Sequence, residues 1–224
     1  DWFYKPTWRE VGVAEAPMAA DQVLLLADGA GLADALAARL RALGCTVTTV
    51  VCGDGYEALS VERYAVAPDS SDDFAALFAA LLAAGRMPQR IFHAWTVQGA
   101  AAAMSLADIE RRGLFSLMAL AQALGSEDLS SPISLTVLTQ GAQRVADEPL
   151  AQPGAAMLNG ATRVIGQELP QVHTQTIDVQ WPGAGERQQR ALIHALLQDS
   201  IAQRAGGAAL AYRGTSRWVQ WQDK

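Results

Sequence analysis

QVLLLADGAGLAD, residues 22–34, is an apolar strand run that breaks into a glycine turn and then a helix start. In dinucleotide-binding βαβ units such a turn reads G-x-G-x-x-G. The third glycine lets helix and strand pack closely, and the helix N-terminus faces a pyrophosphate. Gly29 and Gly31 fit, but Asp34 stands at the third place. A carboxylate in the first helical turn already answers the positive end of the helix dipole and repels a pyrophosphate at short range. Asp28 puts a second negative charge beside Gly29. The expectation is a vestigial loop, Gly29, Gly31 and Asp34, that holds no cofactor.

Strand-like and helix-like segments alternate on both sides of this turn, the pattern of a parallel sheet covered on both faces. VLLLA at 23–27 leads to ALAARLRALG at 35–44, with Leu36, Leu40 and Leu43 at helical spacing before a stopping glycine. CTVTTVVC at 45–52 is rich in β-branched residues and ends in the turn Gly53-Asp54-Gly55. A shorter strand at 62–67 precedes the capping box Ser70 to Asp73 and a stripe of Phe74, Leu77, Phe78, Leu81 and Leu82. RIFHAWT at 90–96, SLTVLTQ at 134–140 and TQTIDVQW at 174–181 read as strands. Helices are expected around Leu114, Leu117, Met118, Ala121 and Leu124, over 153–169 after Pro153, and around Leu192, Ile193, Leu196, Leu197 and Ile201. Polar turns fall at 126–132 and 144–152. The fold class is therefore α/β: a Rossmann-like, doubly wound parallel sheet with helices on both faces, forming one domain over 1–224.

The two ends differ from this middle. WFYKPTWREV at 2–11 and AALAYRGTSRWVQWQ at 208–222 are extended in propensity and carry Trp2, Tyr4, Trp8, Trp218 and Trp221. They should pair with each other or with the sheet edge, their aromatics either closing this core or meeting a neighbour.

At 224 residues, half of them hydrophobic and 18% charged, the chain can bury a large core. A formal charge of −6 without a Lys/Arg block argues against nucleic acid. No apolar run reaches the roughly 18–20 residues that span a bilayer, and residues 1–20 lack a basic start followed by an apolar stretch, so no membrane and a cytoplasmic location are expected. Cys45 and Cys52, seven apart along one strand, point to opposite faces and stay reduced. His93, His173 and His194 have no metal-ligand spacing, so no metal is expected.

The remaining candidates do not assemble chemistry. Asp54 sits about where an acid would hold an adenosine ribose, but before Gly55 it reads as a turn aspartate. His93 in IFHAW has no serine or cysteine elbow to serve and reads as a core histidine. Asp178 in TIDVQ reads as a cap for neighbouring backbone, and Glu168 as a surface residue or a partner of Arg163. Short-chain reductases pair a tyrosine acid with a lysine in Tyr-x-x-x-Lys; here Tyr56, Tyr64 and Tyr212 are followed four places on by Ser60, Pro68 and Ser216. No catalytic residue is assigned.

DWFYKPTWRE at 1–10, GLFSLMALAQALG at 113–125, LTVLTQGAQRV at 135–145, GATRVIGQELPQ at 160–171 with IDV at 177–179, and AYRGTSRWVQWQ at 211–222 resemble, in this order, the N-terminal structural subdomain of ketoreductases in modular polyketide synthases. That resemblance implies a noncatalytic Rossmann-like half that binds no cofactor and props up a second half, which carries the NADPH loop and the reducing Ser, Tyr and Lys. The implied partners are neighbouring domains of the same synthase. They are the catalytic ketoreductase half or, for a stand-alone pseudo-ketoreductase, a methyltransferase or dehydratase. Trp221 to Lys224 would be where such a structural half ends. The rival reading is an active NADPH-dependent β-ketoacyl reductase with a degenerate loop.

Overall fold

The computed structural model describes residues 5–17, 19–99, 104–129, 131–145, 148–181, 185–201 and 209–223. Ten strands make one sheet: Lys5–Glu10 (β1), Gln22–Leu26 (β2), Thr46–Cys52 (β3), Glu57–Ser60 (β4), Arg63–Val66 (β5), Arg90–His93 (β6), Ile133–Gln140 (β7), Val172–Val179 (β8), Ala209–Arg213 (β9) and Ser216–Asp223 (β10). Their order is β1-β10-β9-β8-β7-β6-β2-β3-β5-β4. The seven strands from β9 through β5 run parallel, while β4 and the β10–β1 pair add antiparallel edges. The chain winds outward from β2 to β5, then returns to β6 and winds the other way. This places the topological switch point between β2 and β6, where such sheets hold their ligands at the strands' C-terminal ends.

The expected α/β architecture is borne out, including paired terminal strands at one edge. Leu24, Leu25 and Leu26 are fully buried, as strands covered on both faces require. Leu32–Ala42 (α1) and Glu186–Ile201 (α6) cover one face, over a core with Leu25, Phe92, Leu138 and Ile177. Ser71–Ala83 (α2), Ser116–Gly125 (α4) and Met157–Glu168 (α5) cover the other, over Leu24, Val50, Ile91 and Leu135. Leu106–Ile109 (α3) runs through a π-helical turn, Glu110–Phe115, into α4. Cys45 joins the first core and Cys52 lies against the second, so the two free thiols do face opposite sides.

Local rules account for most boundaries. Ser70 Oγ accepts from Asp73 N at 3.1 Å to start α2, while Asp73 Oδ2 accepts from Ala67 N at 2.8 Å, so the cap reaches three residues further back than a capping box. Phe74, Leu77, Phe78 and Leu81 are buried, but Leu82 and, on α4, Met118 face solvent; both had been expected on the inward stripes. Helix α1 begins at Leu32 rather than at 35, because the turn before it is capped in a way described below. Strand β4 escaped expectation: its four residues are all exposed, so the sequence EALS has no apolar alternation to read.

Candidate functional site

The turn from β2 into α1 brings backbone N–H groups together as the sequence suggested, with Gly31 at φ 88°, a conformation that favours glycine. The group that meets them is the Asp28 side chain. Its Oδ2 accepts from Ala30 N (3.1 Å) and Leu32 N (3.2 Å), and its Oδ1 accepts from Ala33 N (2.8 Å). Asp34, the acid singled out in the sequence, is exposed in the first turn of α1. The reason is geometric. Asp28 follows the strand and reaches the helix N-terminus from beneath, whereas Asp34 lies exposed within the first turn. Burial pushes the Asp28 carboxyl above the usual carboxylate range; the three N–H bonds oppose this, and the charge of Asp34 adds to it.

The C-terminal ends of the neighbouring strands are tied across the switch point. Trp181, 5% exposed, donates its Nε1–H to the Ala30 carbonyl at 2.9 Å and so closes over the glycine turn. Its own carbonyl accepts from Gln140 Nε2 at 3.1 Å, and Gln140 Oε1 accepts from Gln98 N at 3.2 Å. These bonds link the segments that follow β2, β6, β7 and β8. Their sequence separations, 151 residues for Trp181 to Ala30, hide them from any local reading.

Beyond this, Asp178 is fully buried at the end of β8. Its Oδ1 accepts from Thr139 Oγ1 (2.7 Å) and Ala142 N (2.9 Å), so the expected backbone cap is present. Its Oδ2 pairs with Arg213 at 2.8 Å, and Arg213 also holds Glu148 and the Gln143 carbonyl. A second cluster lies on the other face: Tyr212 donates to Asp199 Oδ2 at 2.6 Å, and Arg217 clamps both oxygens of Asp199 at 2.9 Å. Burial and the Asp199 charge push the Tyr212 phenol far above its ordinary range, so this tyrosine is no acid at neutral pH. The two clusters together bolt the β9–β10 hairpin to β8 and α6.

His93 is fully buried, with Nε2 2.7 Å from Ser116 Oγ. Ser116 Oγ also lies 2.7 Å from the Arg112 carbonyl, and His93 Nδ1 is buried without a hydrogen-bond partner. Burial lowers its pKa to about 4. Asp54 is exposed in its turn; Arg163 and Glu168 are both exposed, and their five-residue spacing does not form an ion pair. Tyr56 and Tyr64 stack at 6.2 Å on the β4–β5 edge. A signal in the sequence would have sharpened this picture: the only lysines are Lys5 and Lys224, so helix α5 has none to set beside a tyrosine. Among the described residues no three His, Cys, Asp or Glu side chains group to hold a metal, and no helix is long and apolar enough to cross a membrane.

At the outer edge, Trp8 and Trp218 are half-buried and Trp221 is half-exposed, with the Arg9 guanidinium 4.9 Å from its ring centre. Trp2 and Tyr4 lie outside the described residues.

Residues 21–199 match the family described as beta-ketoacyl synthase-like, N-terminal. The chain belongs to that family. Over 172 residues, 76% of the chain, it is 29% identical to erythronolide synthase EryA3 of Saccharopolyspora erythraea, of whose length this is 4%. An adenylation, ketoreductase and pseudo-Asub structure of a keto acid-selecting nonribosomal peptide synthetase module superposes with a TM-score of 0.86 at 20% identity, over 98% of this chain and 18% of that one. An N-terminal ketoreductase from the macrolactin assembly line gives 0.73 at 14% identity, over 98% of this chain and 44% of that one. The resemblance to polyketide synthase ketoreductase subdomains therefore holds, and the chain spans less than half of each of these proteins.

Proposed function

We propose that this chain is a noncatalytic structural subdomain of a polyketide synthase, forming one Rossmann-like unit that docks and supports a neighbouring catalytic domain, in the first place a catalytic ketoreductase half. The observation that carries the reading is the set of hydrogen bonds across the switch-point crevice. Where this architecture would seat a nucleotide, the glycine turn meets Asp28, Trp181 lies over it, and Gln140 ties the adjoining segments together. With no lysine between Lys5 and Lys224, the Tyr-x-x-x-Lys acid of a short-chain reductase has no counterpart here. Site residues for catalysis, cofactor and metal are accordingly none in this reading, and NADPH would bind only in the partner half.

We place the contact on the outer strand pair, where Trp221 presents an exposed indole, because aromatics concentrate in interface cores. The experiment is to produce the catalytic half with and without this chain. The expected result is that the half alone loses solubility or thermal stability and regains both on co-expression. A catalytic half equally stable and active by itself overturns the proposal.

A further inference from the structure

We infer that the Asp28 carboxylate is a built-in anion that occupies the phosphate seat of the βα turn and keeps that seat shut. This rests on reading the crevice as vestigial and names the residue that makes it so. Three observations converge. The carboxylate takes all three N–H groups of Ala30, Leu32 and Ala33, with both of its oxygens engaged. The same turn is tied from its other side by the buried Trp181 indole, which donates to the Ala30 carbonyl. Asp34, the other negative charge at this end of the helix, is exposed and leaves the inner seat to Asp28. A phosphate would have to displace a covalently tethered, half-buried negative group, at the added cost of repulsion from a second one. Turn geometry and charge thus do inside the protein what a bound pyrophosphate does in a nucleotide-binding relative of this architecture.

Inorganic pyrophosphate is the probe, and the thermal midpoint of the whole chain is the readout. Millimolar pyrophosphate should leave the wild type unmoved and raise the midpoint of Asp28→Ala by about 2–4 °C, the shift expected of a weak ligand on a chain of this size. Asp28→Asn, which keeps one acceptor oxygen without the charge, should rise less, and Asp34→Ala should behave like the wild type. If Asp28→Ala does not fold, the Asn variant carries the comparison alone. Equal shifts in wild type and variant, or none in either variant, overturn the inference. The wild-type arm separates the two readings: a wild type that takes up pyrophosphate contradicts the vestigial crevice itself, whereas a silent wild type with silent variants removes only the role of Asp28.

Discussion

In the middle of the sheet, β2, β6 and β7 bury Leu24, Ile91 and Leu135 between two helix layers, with strand neighbours set by parallel pairing. At its end, β9 and β10 are fastened by Asp178 to Arg213 and by Asp199 to Arg217. Apolar packing tolerates exchange of side chains of similar volume and adds little selectivity. A buried ion cluster adds little net stability when whole but is costly when one member is removed, because the other charge stays behind without water. The contrast teaches that the middle is built to exist and the end is built to stay in one place.

The largest expected effect attacks the end. Arg213→Ala leaves fully buried Asp178 without its cation and should cost about 3–5 kcal/mol in urea unfolding. Amide exchange in β9 and β10 should rise before exchange in β2 does. A loss spread evenly over the sheet would erase the contrast between the two regions.

A second test probes the middle by pH. His93 is neutral in the fold, with its pKa lowered to about 4 against an ordinary value near 6.5. The unfolded chain therefore takes up a proton that the folded chain refuses. The stability this group contributes is complete above pH about 6.5 and is lost as pH falls toward 4, by about 3 kcal/mol. Comparing wild type with His93→Gln over this window isolates the share of one ring among the titrating carboxylates. Identical acid profiles for the two proteins would show that His93 is not held neutral.

The smallest effect sharpens the local side of the comparison. Ser70→Ala removes the oxygen that caps Asp73 N and should cost about 1 kcal/mol by chemical denaturation, with no change in β9 or β10 exchange.

What was legible in the sequence follows the same division. The parallel middle could be read because its rules are local. Leu36 and Leu40 repeat at helical spacing, Ser70 and Asp73 mark a helix start, and β3 is a run of β-branched residues. Strand β4 was invisible because no face of it is buried. The candidate site was half legible: the glycines and the surplus of acid are plain in the sequence, but not which carboxylate accepts the turn's N–H groups. Which carboxylate reaches the turn depends on the direction in which Asp28 leaves β2, a three-dimensional fact. The Trp181 cover and the Arg213 clamp join residues 151 and 35 positions apart. One sequence gives the charges but not their pairing.

The central claim, that the crevice between β2 and β6 is closed to a nicotinamide nucleotide, has a direct test. Tryptophan fluorescence is followed while NADPH is titrated into the intact chain, with Trp181 lying on the turn itself as the reporter. The account predicts a flat trace after correction for absorbance. Saturable quenching at micromolar NADPH, abolished by substitution of Gly31, would contradict it.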